Sequence, residues 1–190
     1  MKVSQLFLAS MKKCTNMFAA DQVVCVWDAR KRYPEQNYRH ITSNGAYKQT
    51  RDKDKNAKVY SFCDEVQEIS EPLGVAHLNP GILEADDFIY WLCNNIDDYK
   101  TVVSSDGDLL QLIGDTCDVY NPIVNKLITK ETFEETTGMP DIRSYIVHKS
   151  LVGDKSDNIA GLEGVGPKRA KQIMERGIEK LSKENKELLE

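Results

Sequence analysis

Two predicted strands, Val23-Val24-Cys25-Val26-Trp27 and Thr101-Val102-Val103-Ser104-Ser105, each stop at an aspartate, Asp28 and Asp106. The first is an uninterrupted apolar run, which suits a strand buried on both faces, as in a parallel sheet. Helical patterns fall between the strands. Val3, Leu6, Phe7, Met11, Cys14 and Met17 make one stripe over residues 3–18, and further helices are predicted at 58–70, 84–94, 129–137 and 140–152. Additional strands are predicted at 73–78 and 117–120, a short helix at 108–113 and a charged helix at 179–190. Strands that alternate with helices predict an α/β fold on a mainly parallel central sheet flanked by helices. In such a sheet, groups at the carboxyl ends of strands meet in one crevice. The two strand-ending aspartates are therefore the first candidates for a site.

Six more acids stand at matching places. Glu84, Asp86 and Asp87 open a helix in LEADDF, Asp108 follows Asp106 in SSDGD, and Asp154 and Asp157 lie in GDKSDN. Singly, Asp86 or Asp87 reads as a charge suited to a helix N-terminus, and Asp154 or Asp157 as an N-cap. Jointly they predict converging carboxylates, which repel one another unless protonated or bridged by cations. Hard oxygen donors in this number suit Mg²⁺ or Mn²⁺. Two such ions about 4 Å apart would activate a water and stabilise the leaving oxygen of a phosphodiester. The histidines, at 40, 77 and 148, have no ligand spacing and read as surface or core residues.

The segment Ile159–Met174 points to the partner. Gly164-Val165-Gly166 lies between Ile159 and Leu162 on one side and Ala170 and Ile173 on the other, at helical spacing. The pattern predicts a helix-hairpin-helix: two short helices whose glycine turn leaves backbone N–H groups free at the start of the second. Such groups bind phosphate. Lys168, Arg169 and Lys171 add positive charge. This device holds a nucleic-acid backbone without reading its sequence.

The net charge of −5 speaks at first against a nucleic-acid partner. Its distribution reverses that. Arg30 to Lys58 holds nine basic residues against three acidic, a net +6, which leaves −11 on the remainder. A basic stretch beside an acidic remainder suggests a DNA grip next to a metal-binding carboxylate cluster. The cysteines (14, 25, 63, 93, 117) lie apart, without a C-x-x-C, and read as reduced core side chains of a cytosolic protein. No stretch approaches transmembrane length. The length fits one domain, or one with a small appendage: here a core over 1–150, including a basic segment at 29–58, and a hairpin region over 151–190.

VVCVWDARKRYP, YKQTR, ILEADDFIYWL, TVVSSDGDLLQLI and VGDKSDNIAGLEGVGPKRA resemble the 5′ nuclease (flap endonuclease) superfamily. The similarity runs over about residues 3–176. The branch resembled is that of phage 5′–3′ exonucleases and the 5′ nuclease domain of bacterial DNA polymerase I. It implies a PIN-like nuclease core. It implies that Asp28, Glu84, Asp86, Asp87 and Asp106 serve a first metal site and Asp108, Asp154 and Asp157 a second. Tyr47, Lys48 and Arg51 match a Y-K-x-x-R pattern in the arch at 29–58, with Lys48 and Arg51 on the scissile phosphate. Gly164, Gly166, Lys168 and Arg169 would hold duplex DNA, together with a K⁺ ion. The implied substrates are 5′ flaps, nicks or RNA primers on DNA, cut by a monomer in a bacterial or phage-infected cytoplasm. Members of the family begin with a strand ending in Asp-Gly, and the present sequence starts in the helix that follows. Its helical region after the hairpin is also short. The absent strand predicts a first metal site short of one carboxylate; the two features together imply a fragment, a misassigned start or a reduced member, with the alternative of a non-catalytic or weakly active DNA-binding remnant.

Overall fold

The computed structural model describes residues 2–28, 41–42, 53–79 and 83–176, without the side chains of 53–60 and 176. Helix α1 (Val3–Met17) packs on α2 (Lys53–Ser70). Phe7 meets Phe62 edge-on at 5.6 Å, and Lys2 Nζ lies 3.2 Å from Glu65 Oε1. The expected apolar stripe of α1 is only half right. Val3, Leu6 and Met17 are exposed, while Ser4 and Cys14 are buried. Residues 4, 7, 11 and 14 share the inward face, as helical spacing of three and four allows.

Strand β1 (Val24–Val26) pairs in parallel with β2 (Ala76–Leu78), with Cys25 opposite His77. Strand β3 (Lys100–Val103) pairs in parallel with β4 (Cys117–Asn121), and β4 pairs antiparallel with β5 (Lys126–Ile128). Among the described residues these are separate sheets, so the expected central sheet is present as two parallel pairs, not one continuous parallel surface. The reading of residues 23–27 as a strand buried on both faces is corrected too: Val24 is 43% exposed, and Val103 in β3 is 45% exposed. Among the described residues β1 and β3 each hydrogen-bond one neighbouring strand, so there neither is enclosed as the middle strand of a wide sheet would be. The fully enclosed strand is β4, whose Val119 is at the centre of the main core.

That core joins Ile113, Val119, Ile128, Phe133 and Met139. Beside it, α3 (Ala85–Asn95) covers Leu109, Leu112 and Cys117. Leu109 and Leu112 belong to a 3₁₀ turn, Gly107–Leu112. Of the predicted helix at 129–137 only α4 (Phe133–Thr137) forms. Helix α5 (Ile142–Val152) starts at Asp141, whose Oδ1 accepts the Ser144 N–H at 2.7 Å. It packs on α6 (Pro167–Arg176) through Leu151, Val165, Ala170 and Ile173. The expected helix at Ile159 is absent: β6 (Gly153–Asp154) and β7 (Ile159–Ala160) form a small antiparallel hairpin there. Left-handed Gly153 (φ 75°) and Asn158 (φ 58°) break the helical path. The two helices flanking the glycines are thus α5 and α6. The predicted helix at 179–190 and the segment 29–40 lie outside the described residues. No described helix is long and apolar enough to cross a membrane. All cysteines are free, and Cys93 Sγ stands 3.9 Å from Cys117 Sγ.

His77 joins β2 to its surroundings through both ring nitrogens. Trp27 Nε1–H donates to Nδ1 at 3.0 Å, and Nε2 lies 2.9 Å from Ser70 Oγ, whose hydroxyl donates to the Val66 carbonyl at 2.6 Å. The neutral ring protonated on Nε2 satisfies all three groups. Burial pushes the His77 pKa down from 6.5, against a smaller opposing effect of Glu71. The unfolded chain therefore takes up this proton first as the medium acidifies. Stability contributed by His77 is present above pH 6.5 and lost as pH falls below it. Thermal melting across that window should show a steeper acid loss for the native chain than for His77→Gln. Equal slopes would remove His77 from the account.

Candidate metal centre

Six aspartates face one cavity of about 190 Å³: Asp28, Asp86, Asp106, Asp108, Asp154 and Asp157, with Ala85 and Ser156. They come from four places: the end of β1, the start of α3, the 3₁₀ turn and the hairpin of β6 and β7. Asp28 lies just past β1, and its Oδ1 accepts the Ala85 N–H at 2.9 Å, tying the strand end to the start of α3. Asp86 comes from the first turn of α3. Asp106 caps the 3₁₀ turn, its Oδ1 accepting the Asp108 N–H at 2.9 Å. Asp154 Oδ1 accepts from Ser156 Oγ at 2.6 Å and from Ser156 N–H at 2.8 Å. The Ser156 hydroxyl leads the effects that hold the Asp154 carboxyl below the usual range; burial opposes it, and backbone N–H groups and Lys149 assist.

Two predicted members stand elsewhere. Glu84 is buried as the N-cap of α3, and Asp87 turns back, its Oδ2 accepting the Glu84 N–H at 3.3 Å. The two cap α3 reciprocally and do not line the cavity. Among the described residues, no three His, Cys, Asp or Glu side chains stand at the spacing of a single metal shell. Asp28 and Asp106 accept from backbone N–H groups, Asp154 from Ser156, and Asp108 and Asp154 face one lysine.

That lysine is Lys149, in the last turn of α5, which sequence reasoning passed over. Its Nζ donates to Asp108 Oδ1 and lies 3.7 Å from Asp154 Oδ2. Burial pulls its pKa down, but Asp108 and then Tyr145 and Asp154 outweigh that, and the net shift is upward. Its place was visible in the sequence only as the cation one turn before the GDKSDN loop. Two glycines were also missed. A Cβ on Gly153 would sit 2.2 Å from Gly161 N, and one on Gly161 2.3 Å from Val152 C. The paired glycines let the Asp154–Asp157 loop close on the end of α5.

The glycine turn adjoins this loop. Gly164 takes φ 69°, its carbonyl accepts from Arg169 Nη1 at 3.3 Å, and Gly164, Gly166, Lys168 and Arg169 are exposed. A Cβ on Gly166 would meet nothing within 4 Å, so space is open over its backbone. Val165 between them is buried against α5 and α6. Tyr47, Lys48 and Arg51 lie outside the described residues.

Lys149 competes electrostatically with any divalent cation for Asp108 and Asp154. Lys149→Met should lower the melting temperature in EDTA by roughly 2–4 °C, the equivalent of about 1 kcal/mol for a half-exposed pair. The variant should bind Mn²⁺ more tightly than the native chain, as read by calorimetry. Weaker binding would mean that the ammonium supports the cation site and does not compete with it.

Comparison with known proteins gives one consistent answer. Residues 1–138 match the family model of the 5′–3′ exonuclease N-terminal, resolvase-like domain. The chain is 36% identical over 175 residues to a 5′–3′ exonuclease of Bacillus subtilis, covering 88% of this chain and 56% of that protein. It is 33% identical over 144 residues to DNA polymerase I of Treponema pallidum, covering 72% of this chain and 14% of that one. The chain thus spans about half the length of the curated exonucleases it matches. Among solved structures, a bacteriophage T5 flap endonuclease in a pseudo-enzyme-product complex with DNA and metal ions shares the fold. Its TM-score is 0.73 at 20% identity, over 93% of this chain and 68% of that one. The catalytic core of Rad2 with DNA substrate superposes with TM-score 0.54 at 19% identity, over 93% and 53%.

Proposed function

The chain belongs to the 5′–3′ exonuclease family, and from that membership we propose that it hydrolyses phosphodiesters at 5′ flaps, nicks or RNA primers on DNA, with two divalent cations. The observation that carries this is the gathering of six aspartates from four separate parts of the chain around one cavity. Their hard, anionic oxygens are the donor set that Mg²⁺ or Mn²⁺ takes. Asp28, Asp86 and Asp106 would hold one ion, with Glu84 and Asp87 shaping the start of α3 behind them. Asp108, Asp154 and Asp157 would hold the other. Bound there, the cations would supply Lewis acidity and a lowered water pKa.

The chain's own residues do the rest. Asp154, held ionised by Ser156, keeps its negative charge at neutral pH. Lys149 keeps Asp108 and Asp154 together before cations arrive. Open backbone at Gly164 and Gly166, with Lys168 and Arg169, would receive duplex phosphates, and a K⁺ ion could share that turn. Tyr47, Lys48 and Arg51 would meet the scissile phosphate from the basic segment 29–58. In this reading 1–150 is the cutting core and 151–190 the holding region, acting as a monomer in a bacterial or phage-infected cytoplasm.

A second reading, a DNA-binding member with little or no cutting activity, is favoured by the placement of Glu84 and Asp87 in the cap of α3. One assay separates the two. A labelled 5′-flap duplex should be cut in Mg²⁺ and left intact in EDTA, and Asp106→Asn should slow cutting at least about 100-fold while DNA binding persists. Binding without cutting at every metal concentration would establish the second reading. The holding role has its own check. Gly166→Val should weaken duplex affinity about fivefold, the loss of one phosphate hydrogen bond, by the same factor for unrelated sequences. A sequence-dependent loss would reject backbone recognition.

A further inference from the structure

Helix α5 reaches the carboxylate cavity twice from one face. Lys149 engages Asp108, and one turn earlier Tyr145 Oη donates to the carbonyl of Gly107 at 3.0 Å. Gly107 is the residue between Asp106 and Asp108, so this bond lands on the peptide that joins two cavity-lining carboxylates. The other side of the same turn is fixed by the Asp108 N–H to Asp106 Oδ1 bond. The tyrosine is itself held. Its ring meets Phe133 edge-on at 5.7 Å and 79°, and Phe133 is a buried member of the main core. Burial pushes its pKa up, which keeps the hydroxyl a donor. The fit is close: a Cβ on Gly107 would lie 3.2 Å from Tyr145 Oη.

We propose that Tyr145 is a positioning residue that sets the separation of the Asp106 and Asp108 carboxylates and thereby the affinity of the cavity for divalent cations. The inference rests on the metal reading above. A hydrogen bond to a carbonyl in a turn this short removes the rotation by which the 106–107 and 107–108 peptides would let the two side chains drift apart. Phe133 and the core behind it make the anchor rigid. The main core thereby orients ionic groups that it does not touch directly.

The test uses the 190-residue chain and Mn²⁺ as the probe. Tyr145→Phe keeps the ring and its contact with Phe133 and removes only the hydroxyl. Mn²⁺ affinity by titration calorimetry should fall roughly three- to tenfold, the loss expected for one hydrogen bond. The melting temperature in EDTA should fall by no more than the roughly 2–4 °C expected for one hydrogen bond, and flap cleavage should recover at saturating Mn²⁺. A second variant checks the contact itself. Gly107→Ala, which crowds Tyr145 Oη, should weaken Mn²⁺ binding in the native background and have no further effect in Tyr145→Phe. Unchanged Mn²⁺ affinity in Tyr145→Phe, or independent losses in the double variant, would overturn the positioning role alone. A native chain that binds no Mn²⁺ would overturn the metal reading and this inference with it.

Discussion

Like charges crowded together repel, and six carboxylates share one cavity of about 190 Å³. The surrounding structure is organised to bear that repulsion. Asp28 accepts from the start of α3, Asp106 from its own turn and Asp154 from Ser156. Lys149 brings a positive charge to Asp108 and Asp154. Every one of these partners is a helix end, a turn or a loop. Regular backbone has used its N–H groups already, so only such places can offer backbone donors to an anion.

Helix α5 links this polar centre to the apolar parts. Near its start, Ile142 and Tyr145 pack against the main core; at its end, Leu151 packs against Val165, Ala170 and Ile173 of the glycine-turn region. Between them Tyr145 and Lys149 face the cavity-lining turn. The closing of Gly153 on Gly161 then brings the Asp154–Asp157 loop to the same end of the helix. A single rigid element thus relates the carboxylates to the glycine turn, the geometry needed if one part holds a nucleic-acid backbone while another cuts it.

Much of this was legible in the residues. Asp28 and Asp106 were found because predicted strands stop at them, and strand ends in this class of fold converge. GDKSDN stood out because acids follow a glycine just before the glycine turn. LEADDF was harder to read. Successive helical residues point about 100° apart, so Asp86 and Asp87 face different ways, and here only Asp86 lines the cavity. Which one does depends on how α3 sits over Leu109 and Leu112, a tertiary fact with no local signature. Glu84 and Asp87 went to the cap for that reason. Lys149 was one more cation on a helix until the loop folded back beside it. The short hairpin of β6 and β7 replaced an expected helix because Asn158, like Gly153, adopts a left-handed backbone, which asparagine tolerates without advertising it. The half-exposure of β1 and β3 could not be read from their residues, since composition does not state how many neighbours a strand has.

The account stands on the claim that these aspartates form a divalent-cation centre, and diffraction tests it directly. Crystals grown with saturating Mn²⁺ should show anomalous scattering peaks inside the cavity, within coordinating reach of Asp106, Asp108 and Asp154. Anomalous peaks confined to other surfaces, with the cavity free of them and Lys149 still joined to Asp108, would contradict it.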